Sequence, residues 1–160
     1  MRNIFAKIAV TAAIIFALAF SFVTVPAYAY SETDLQTLAE TGNCPECDLS
    51  GIDLHEANLS GAKLYKTDLS GAKLYRTDLS GASLSGSNLS GAVLSGANLS
   101  GAYLQKADVS GAYLQKADLT DASLYGTNFT DAVLYGADLS GAKTKGADFT
   151  GAKTKGATLP

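Results

Sequence analysis

The sequence predicts an all-β solenoid, a chain wound into stacked coils around a narrow apolar interior. Three regularities predict it. From Leu49 to Leu159 every fifth residue belongs to one register of 23 sites, 18 of them Leu, with Val109, Phe129 and Phe149 as apolar variants. Two residues before each site the side chain is small, as at Ala57, Ala62 and Ala72, and two residues after it Gly dominates, as at Gly71 and Gly101. Neither regular structure accommodates this pattern. In an α-helix a step of five advances about 140° and spreads the leucines over every face. In a straight strand an odd period throws alternate leucines to opposite sides. Only a chain that turns once per five residues brings every Leu to one interior, and Ala then permits tight winding while Gly relieves the turn.

At 160 residues the chain suits one domain, and its elements follow in order. Arg2 and Lys7 precede an uncharged apolar run from Ile8 to Val25. Pro26 breaks the run, and Ala27-Tyr28-Ala29 offers small residues at both positions that a signal peptidase reads. Residues 1–29 are therefore expected to be a secretory signal peptide cleaved before Tyr30. The alternative is an uncleaved anchor, since about 18 apolar residues just span a bilayer. Nothing later is apolar enough to cross a membrane, so no stable insertion is expected after cleavage. Without Arg2 and Lys7 the chain keeps 10 basic and 15 acidic residues, a net charge of −5. That balance argues against a nucleic-acid partner.

Residues 30–46 form the next segment. Ser31 is an N-cap, Asp34 takes the capping-box position, Leu35 and Leu38 share one side and Gly42 is a stop, so a short helix is expected over the first coil. Cys44-Pro45-Glu46-Cys47 follows. In an exported chain Cys44 and Cys47 suit a structural disulfide; free thiols, redox chemistry and metal binding are the alternatives. A zinc site needs four ligands, and His55 is the one other soft candidate.

Residues 47–160 carry the repeats. The run Ala57-Asn58-Leu59-Ser60-Gly61 and copies such as Ala97-Asn98-Leu99-Ser100-Gly101 resemble the pentapeptide-repeat proteins, whose unit reads A-(D/N)-L-x-x. The resemblance implies a right-handed quadrilateral β-helix with four pentapeptides per coil. The segment Thr41 to Gly51 is also similar to the head of exported cyanobacterial-type members of the periplasm or thylakoid lumen. Ile52, Thr67, Thr77, Ser87 and Thr127 depart from Ala at the small position. Nearly six coils at the ~4.8 Å spacing of stacked strands give a column roughly 25–30 Å long. Thr144 and Thr154 put polar atoms into the last coils, where fraying is expected. No second cap is visible, so a second copy could dimerise at the C-terminal end.

Distributing successive units over four sides separates the charges. The residue before each inward site is Asp or Asn in one set, from Asp48 to Asp148, and after Asp53 it is Lys, Ser, Val or Tyr in the alternate set. Every Lys and Arg after residue 30 falls on the second pair of sides, with Tyr65, Tyr75, Tyr103, Tyr113, Tyr125 and Tyr135. These tyrosines, with Lys106 and Lys116, are the candidate interaction face, because exposed aromatic residues serve as anchors for protein partners. The plainer reading is a solvated rank covering the strands. The Asp and Asn columns are expected to bond neighbouring turns and coils, and Phe129 and Phe149 to stack in the core.

One histidine permits no Ser–His–Asp arrangement, no concavity gathers the aspartates, and no phosphate-binding glycine loop is present. The expected function is that of an exported, non-catalytic scaffold without cofactor, in the periplasm, a thylakoid lumen or outside the cell, binding an unidentified protein. The alternatives are a DNA mimic that inhibits a topoisomerase, as the resemblance implies for some members, and a redox protein using Cys44 and Cys47.

Overall fold

The computed structural model describes residues 30–160, and the expected signal peptide lies outside the described residues. In each unit the residue before the inward site forms a parallel bridge to the residue twenty positions on: Asp48 to Asp68, Asp53 to Lys73, Asn58 to Asp78, Lys63 to Ser83. A coil is therefore 20 residues with four sides, each so short that one residue makes the bridge. The first side carries inward Leu49, Leu69 and Leu89, the second Leu54 and Leu74, the third Leu59 and Leu79, and the fourth Leu64 and Leu84.

The backbone donors explain why five residues suffice. Leu49 N–H and Gly51 N–H donate forward to Asp68 O and Ser70 O, both at 2.8 Å. Asp68 N–H donates back to Cys47 O at 2.8 Å, and Ile52 N–H closes the turn on Leu49 O at 3.2 Å. The third residue of each turn has positive φ, as a type II turn requires. Glycine fills most of these corners, but Glu46, Glu56, Lys66, Arg76, Lys106, Lys116, Asp121 and Asp131 fill the rest at φ between 55° and 60°. The expectation that Gly relieves the turn thus holds for most units, and the others carry strain in the left-handed region.

The inward column is buried from Leu49 through Leu139, with alanines sealing it. Phe129 and Phe149 stack as expected, centroids 4.9 Å apart and rings 2° from parallel. Thr67, Thr77 and Thr127 replace Ala without leaving an orphaned hydroxyl. Their Oγ1 atoms donate to Cys44 O, Leu54 O and Leu104 O at 2.6, 2.8 and 2.7 Å. Around Thr144 and Thr154 the last coil keeps its register, with bridges from Val133 to Lys153 and from Asp138 to Thr158.

Helix α1 spans Glu32–Thr41. Ser31 Oγ accepts the Asp34 N–H, Gly42 at φ 70° ends the helix with its N–H on Leu38 O, and Leu35 and Leu38 are buried against the column. The capping box is only half formed. Asp34 sends its carboxylate to Asp48 N–H at 2.8 Å, and Ser31 N–H donates to Asp48 O at 3.0 Å. The reason is positional: in later coils this N–H donates to the coil before, and Asp48 has none before it. Asn43 Oδ1 does the same service for Lys63 N–H at 2.8 Å.

Candidate interaction faces

The first and third sides are built by the Asx acceptor. In a five-residue unit the N–H just after the inward site has no backbone partner, and Asp or Asn supplies one. Asp118 Oδ1 accepts Thr120 N–H at 2.9 Å and Thr120 Oγ1–H at 2.7 Å, and Asn98 Oδ1 does the same for Ser100 at 3.0 and 2.7 Å. The columns are also tied vertically, since Asn88 Nδ2–H donates to Asp68 Oδ1 at 3.2 Å and Asn128 Nδ2–H to Asp108 Oδ1 at 3.0 Å. Where Asn alternates with Asp, a like-charge stack becomes a bonded ladder, while Asp48 beside Asp68 and Asp118 beside Asp138 remain like neighbours. Hydrogen bonds from Ser140 and Thr150 hold the Asp138 and Asp148 carboxyls below the ordinary range. The hydroxyls of Ser60, Ser100, Thr120, Thr130, Ser140 and Thr150 thus serve the turns.

On the second and fourth sides Lys, Val and Tyr offer no such acceptor, and these sides are free to vary. Tyr65, Tyr103, Tyr113, Tyr125 and Tyr135 are exposed, Tyr103 most at 52%. Tyr75 differs: it is half-buried and stacks on His55, centroids 4.8 Å apart and rings 11° from parallel. His55 is thus partnered on two sides, because its Nδ1–H also donates to Asp53 Oδ1 at 2.6 Å. Partial burial acts to raise the Asp53 pKa, but the His55 hydrogen bonds and the charges of His55 and Lys73 outweigh it, so the carboxyl lies below its ordinary value. Lys106 and Lys116 are exposed at strained corners.

Gln105 went unnoticed in the sequence, yet it straps three coils. Its Oε1 accepts Ser85 Oγ–H at 2.7 Å and its Nε2–H donates to Ser123 Oγ at 2.8 Å. Asn43 and Asp34 were missed as acceptors for the first coil. The signal was present for Asn43, which occupies the Asp/Asn place of a unit one step before Leu49.

Cys44 and Cys47 form a disulfide with Cα atoms 5.5 Å apart. Cys44 is fully buried on the inward register, so the column starts one unit before Leu49. Its N–H donates to Lys63 O at 2.9 Å, the same bond that Leu64 N–H makes to Ser83 O. Among the described residues no group of His, Cys, Asp and Glu could hold a metal ion, and no helix is long and apolar enough to cross a membrane.

This geometry defines a class, the repeat solenoid whose only large surfaces are its sides. The description "Pentapeptide repeats" matches residues 43–81, 72–111 and 112–151, and the chain belongs to that family. A similar solved structure is a pentapeptide repeat protein (Rfr23) from the cyanobacterium Cyanothece 51142. It is 30% identical over 80% of this chain and 98% of that one, with TM-score 0.47. HetL, a pentapeptide repeat protein involved in heterocyst differentiation regulation in Nostoc sp. strain PCC 7120, is 34% identical. That match covers 72% of this chain and 69% of HetL with TM-score 0.46. A pentapeptide repeat protein of the Arabidopsis thaliana thylakoid lumen is 33% identical over 62% of this chain and 66% of that one, with TM-score 0.33. Among curated proteins none matches.

Proposed function

We propose that this protein is an exported, non-catalytic scaffold whose second and fourth sides dock a protein partner. In this reading the column is a right-handed quadrilateral β-helix, residues 30–46 close its first coil, and the disulfide tightens that end. The observation that carries the proposal is the placement of five exposed tyrosines with Lys106 and Lys116 on two opposite sides. Flat aromatic and basic groups suit an interface, where Tyr supplies contact area at low entropic cost. Export rests on Arg2, Lys7, the apolar run Ile8–Val25 and Ala27-Tyr28-Ala29.

The test has two parts. Fractionation with intact-mass analysis should find a non-cytoplasmic species beginning at Tyr30 and lighter by two hydrogens. Replacing Tyr103, Tyr113, Tyr125 and Tyr135 by Ser should remove the protein captured by the unaltered chain in that compartment. An unchanged set of captured proteins would refute the face assignment.

The Asp and Asn columns favour one other reading, mimicry of DNA toward a topoisomerase. Each acidic side, however, borders sides that carry all the Lys and Arg of the described residues. Inhibition of gyrase supercoiling by the purified protein would establish that reading, and its absence would dispose of it.

A further inference from the structure

The four sides are not independent surfaces. Coils from residue 61 onward are decapeptides written twice: Tyr103, Gln105 and Lys106 on the fourth side return as Tyr113, Gln115 and Lys116 on the second. With a bridge every twentieth residue, a ten-residue repeat becomes a half-turn about the column axis. Opposite sides therefore carry matching groups at nearly the same height.

Charge is ordered by height as well. Coil 61–80 carries four basic residues with Asp68 and Asp78, coil 101–120 carries Lys106 and Lys116 with Asp108 and Asp118, and coil 141–160 carries four lysines with Asp148. Coil 81–100 has no charged residue, and coil 121–140 has no basic one. Positive charge thus recurs on every second coil, about 10 Å apart along the column. Spacing like charges within one side explains an alternation, but it sets no relation between sides. Coil 121–140 also holds Asp121, Asp131 and Asp138, but along the first side beyond residue 60 the aspartates, Asp68, Asp108 and Asp148, occupy the same coils as the lysines. They do not neutralise each other inside the molecule. Among the described residues the ion pairs of Lys and Arg are those of Lys66 with Glu46, Lys73 with Asp53 and Arg76 with Glu56, all reaching back to coil 41–60. Lys106 and Lys116 have no ion pair among the described residues.

We propose that copies of this chain associate side by side, a basic side of one against an acidic side of the next, with coil 101–120 level with coil 101–120. The proposal rests on the scaffold reading above and names one partner as a second copy. Against the first side a slip of one coil sets Lys106 level with Asn88 or Asn128 and loses the match, and against the third side a slip toward Asn98 does the same, while Asp138 stands one coil on from Asp118 in the other direction. Because each column has two basic and two acidic sides, the contact is heterologous and extends into open arrays. Its exposed charge pairs make it weak and salt-sensitive.

The test mixes unlabelled and 15N-labelled protein with a zero-length carbodiimide cross-linker. Cross-links between isotopically different copies should join Lys106 or Lys116 to Asp108 or Asp118 at about 20 mM salt, and sedimentation velocity should show species heavier than the monomer. Both should disappear at about 0.5 M salt, where screening acts over a few ångströms. Lys106→Glu with Lys116→Glu should reduce these cross-links at least tenfold. Glu46 and Glu56 already occupy the same corners in coil 41–60, at φ 60° and 55°, so the variant retains an allowed turn. Asp108→Asn with Asp118→Asn keeps the turn acceptor and should give the same loss. A monomer at low salt, cross-links that join other coils, or association indifferent to salt or to these variants would overturn the proposal. Partner capture by the tyrosine sides persisting beside a monomeric protein would sink self-association alone and leave the scaffold reading standing.

Discussion

Gly101→Ala isolates the cost of the corner conformation. Gly101 has φ +63°, and a Cβ built there meets nothing within 4 Å. Steric contact with the rest of the column is therefore absent, and only the backbone preference of an L-residue remains. That preference costs about 1–2 kcal/mol in the left-handed region, while Ala restrains the unfolded chain by about 0.5–1 kcal/mol relative to Gly. The net loss is about 1 kcal/mol, a fall in Tm of roughly 3–5 °C for a domain of this size. Lys106→Gly runs the same cycle backwards, from φ 58°. It relieves the strain, adds chain entropy to the unfolded state and strips the lysine stem from Gly126, where Lys106 Cγ lies 3.8 Å from a built Cβ. Its expected change is within about 0.5 kcal/mol of zero. Thermal melts followed by circular dichroism, with Gly101→Asn as an intermediate because Asn tolerates this region, supply the comparison. If Gly101→Ala melted with the unaltered protein, glycine at these corners would not be a conformational requirement and the strain at Lys106 would be fictitious. A fall beyond about 10 °C would mean that the open space at Gly101 is filled.

Three further outcomes are expected. Replacing Cys44 and Cys47 together by Ser should cost about 2 kcal/mol, the entropy of a four-residue loop, and the faster hydrogen exchange should concentrate in Glu32–Thr41, whose Asp34 carbonyl lies 3.1 Å from Cys44 Sγ. Thr127→Val keeps the shape of a fully buried side chain but removes its 2.7 Å hydrogen bond to Leu104 O, a loss of about 1 kcal/mol by chemical denaturation; Leu104 O retains the Ala107 N–H. Because Ser140 and Thr150 hold the folded-state pKa of Asp138 and Asp148 below 3.8, their contribution is present above that value and is lost as pH falls through the lowered values. Asp138→Asn with Asp148→Asn should therefore lose less stability between about pH 4 and pH 2, and a variant as acid-sensitive as the original would refute the assignment.

Much of this molecule could be read from local chemistry. Ser31 and Gly42 bracket helix α1 because an N-cap acceptor and a left-handed stop are properties of a few adjacent residues. The Phe129–Phe149 stack follows from their twenty-residue separation once four units make a coil. What escaped the sequence was the fate of groups at the first coil. Asp34 reads as a capping-box partner, yet Asp48 N–H, with no coil before it, competes for and takes the carboxylate. In the sequence His55 stands out only as a soft ligand candidate, but Tyr75 lies one coil on and Asp53 beside it. The candidate faces were only partly legible. The order of residues assigns Tyr and Lys to alternate units, but the partial burial of Tyr75 is a consequence of its neighbour in the next coil.

The sequence by itself determined the five-residue unit, because inward Leu, small Ala and a glycine-rich corner are local conditions that each unit meets with its own residues. It also determined which residues face outward. The tertiary structure decided what those outward residues meet, since the contacts run between positions twenty apart and depend on how the coils are stacked. Stacking made a ladder of Asn128 and Asp108, a strap of Gln105 and an inward plug of Cys44. Among the described residues it left Lys106 and Lys116 without an ion pair, because the residues one coil away at their corners are glycines, Gly86 and Gly126 beside Lys106 and Gly96 and Gly136 beside Lys116.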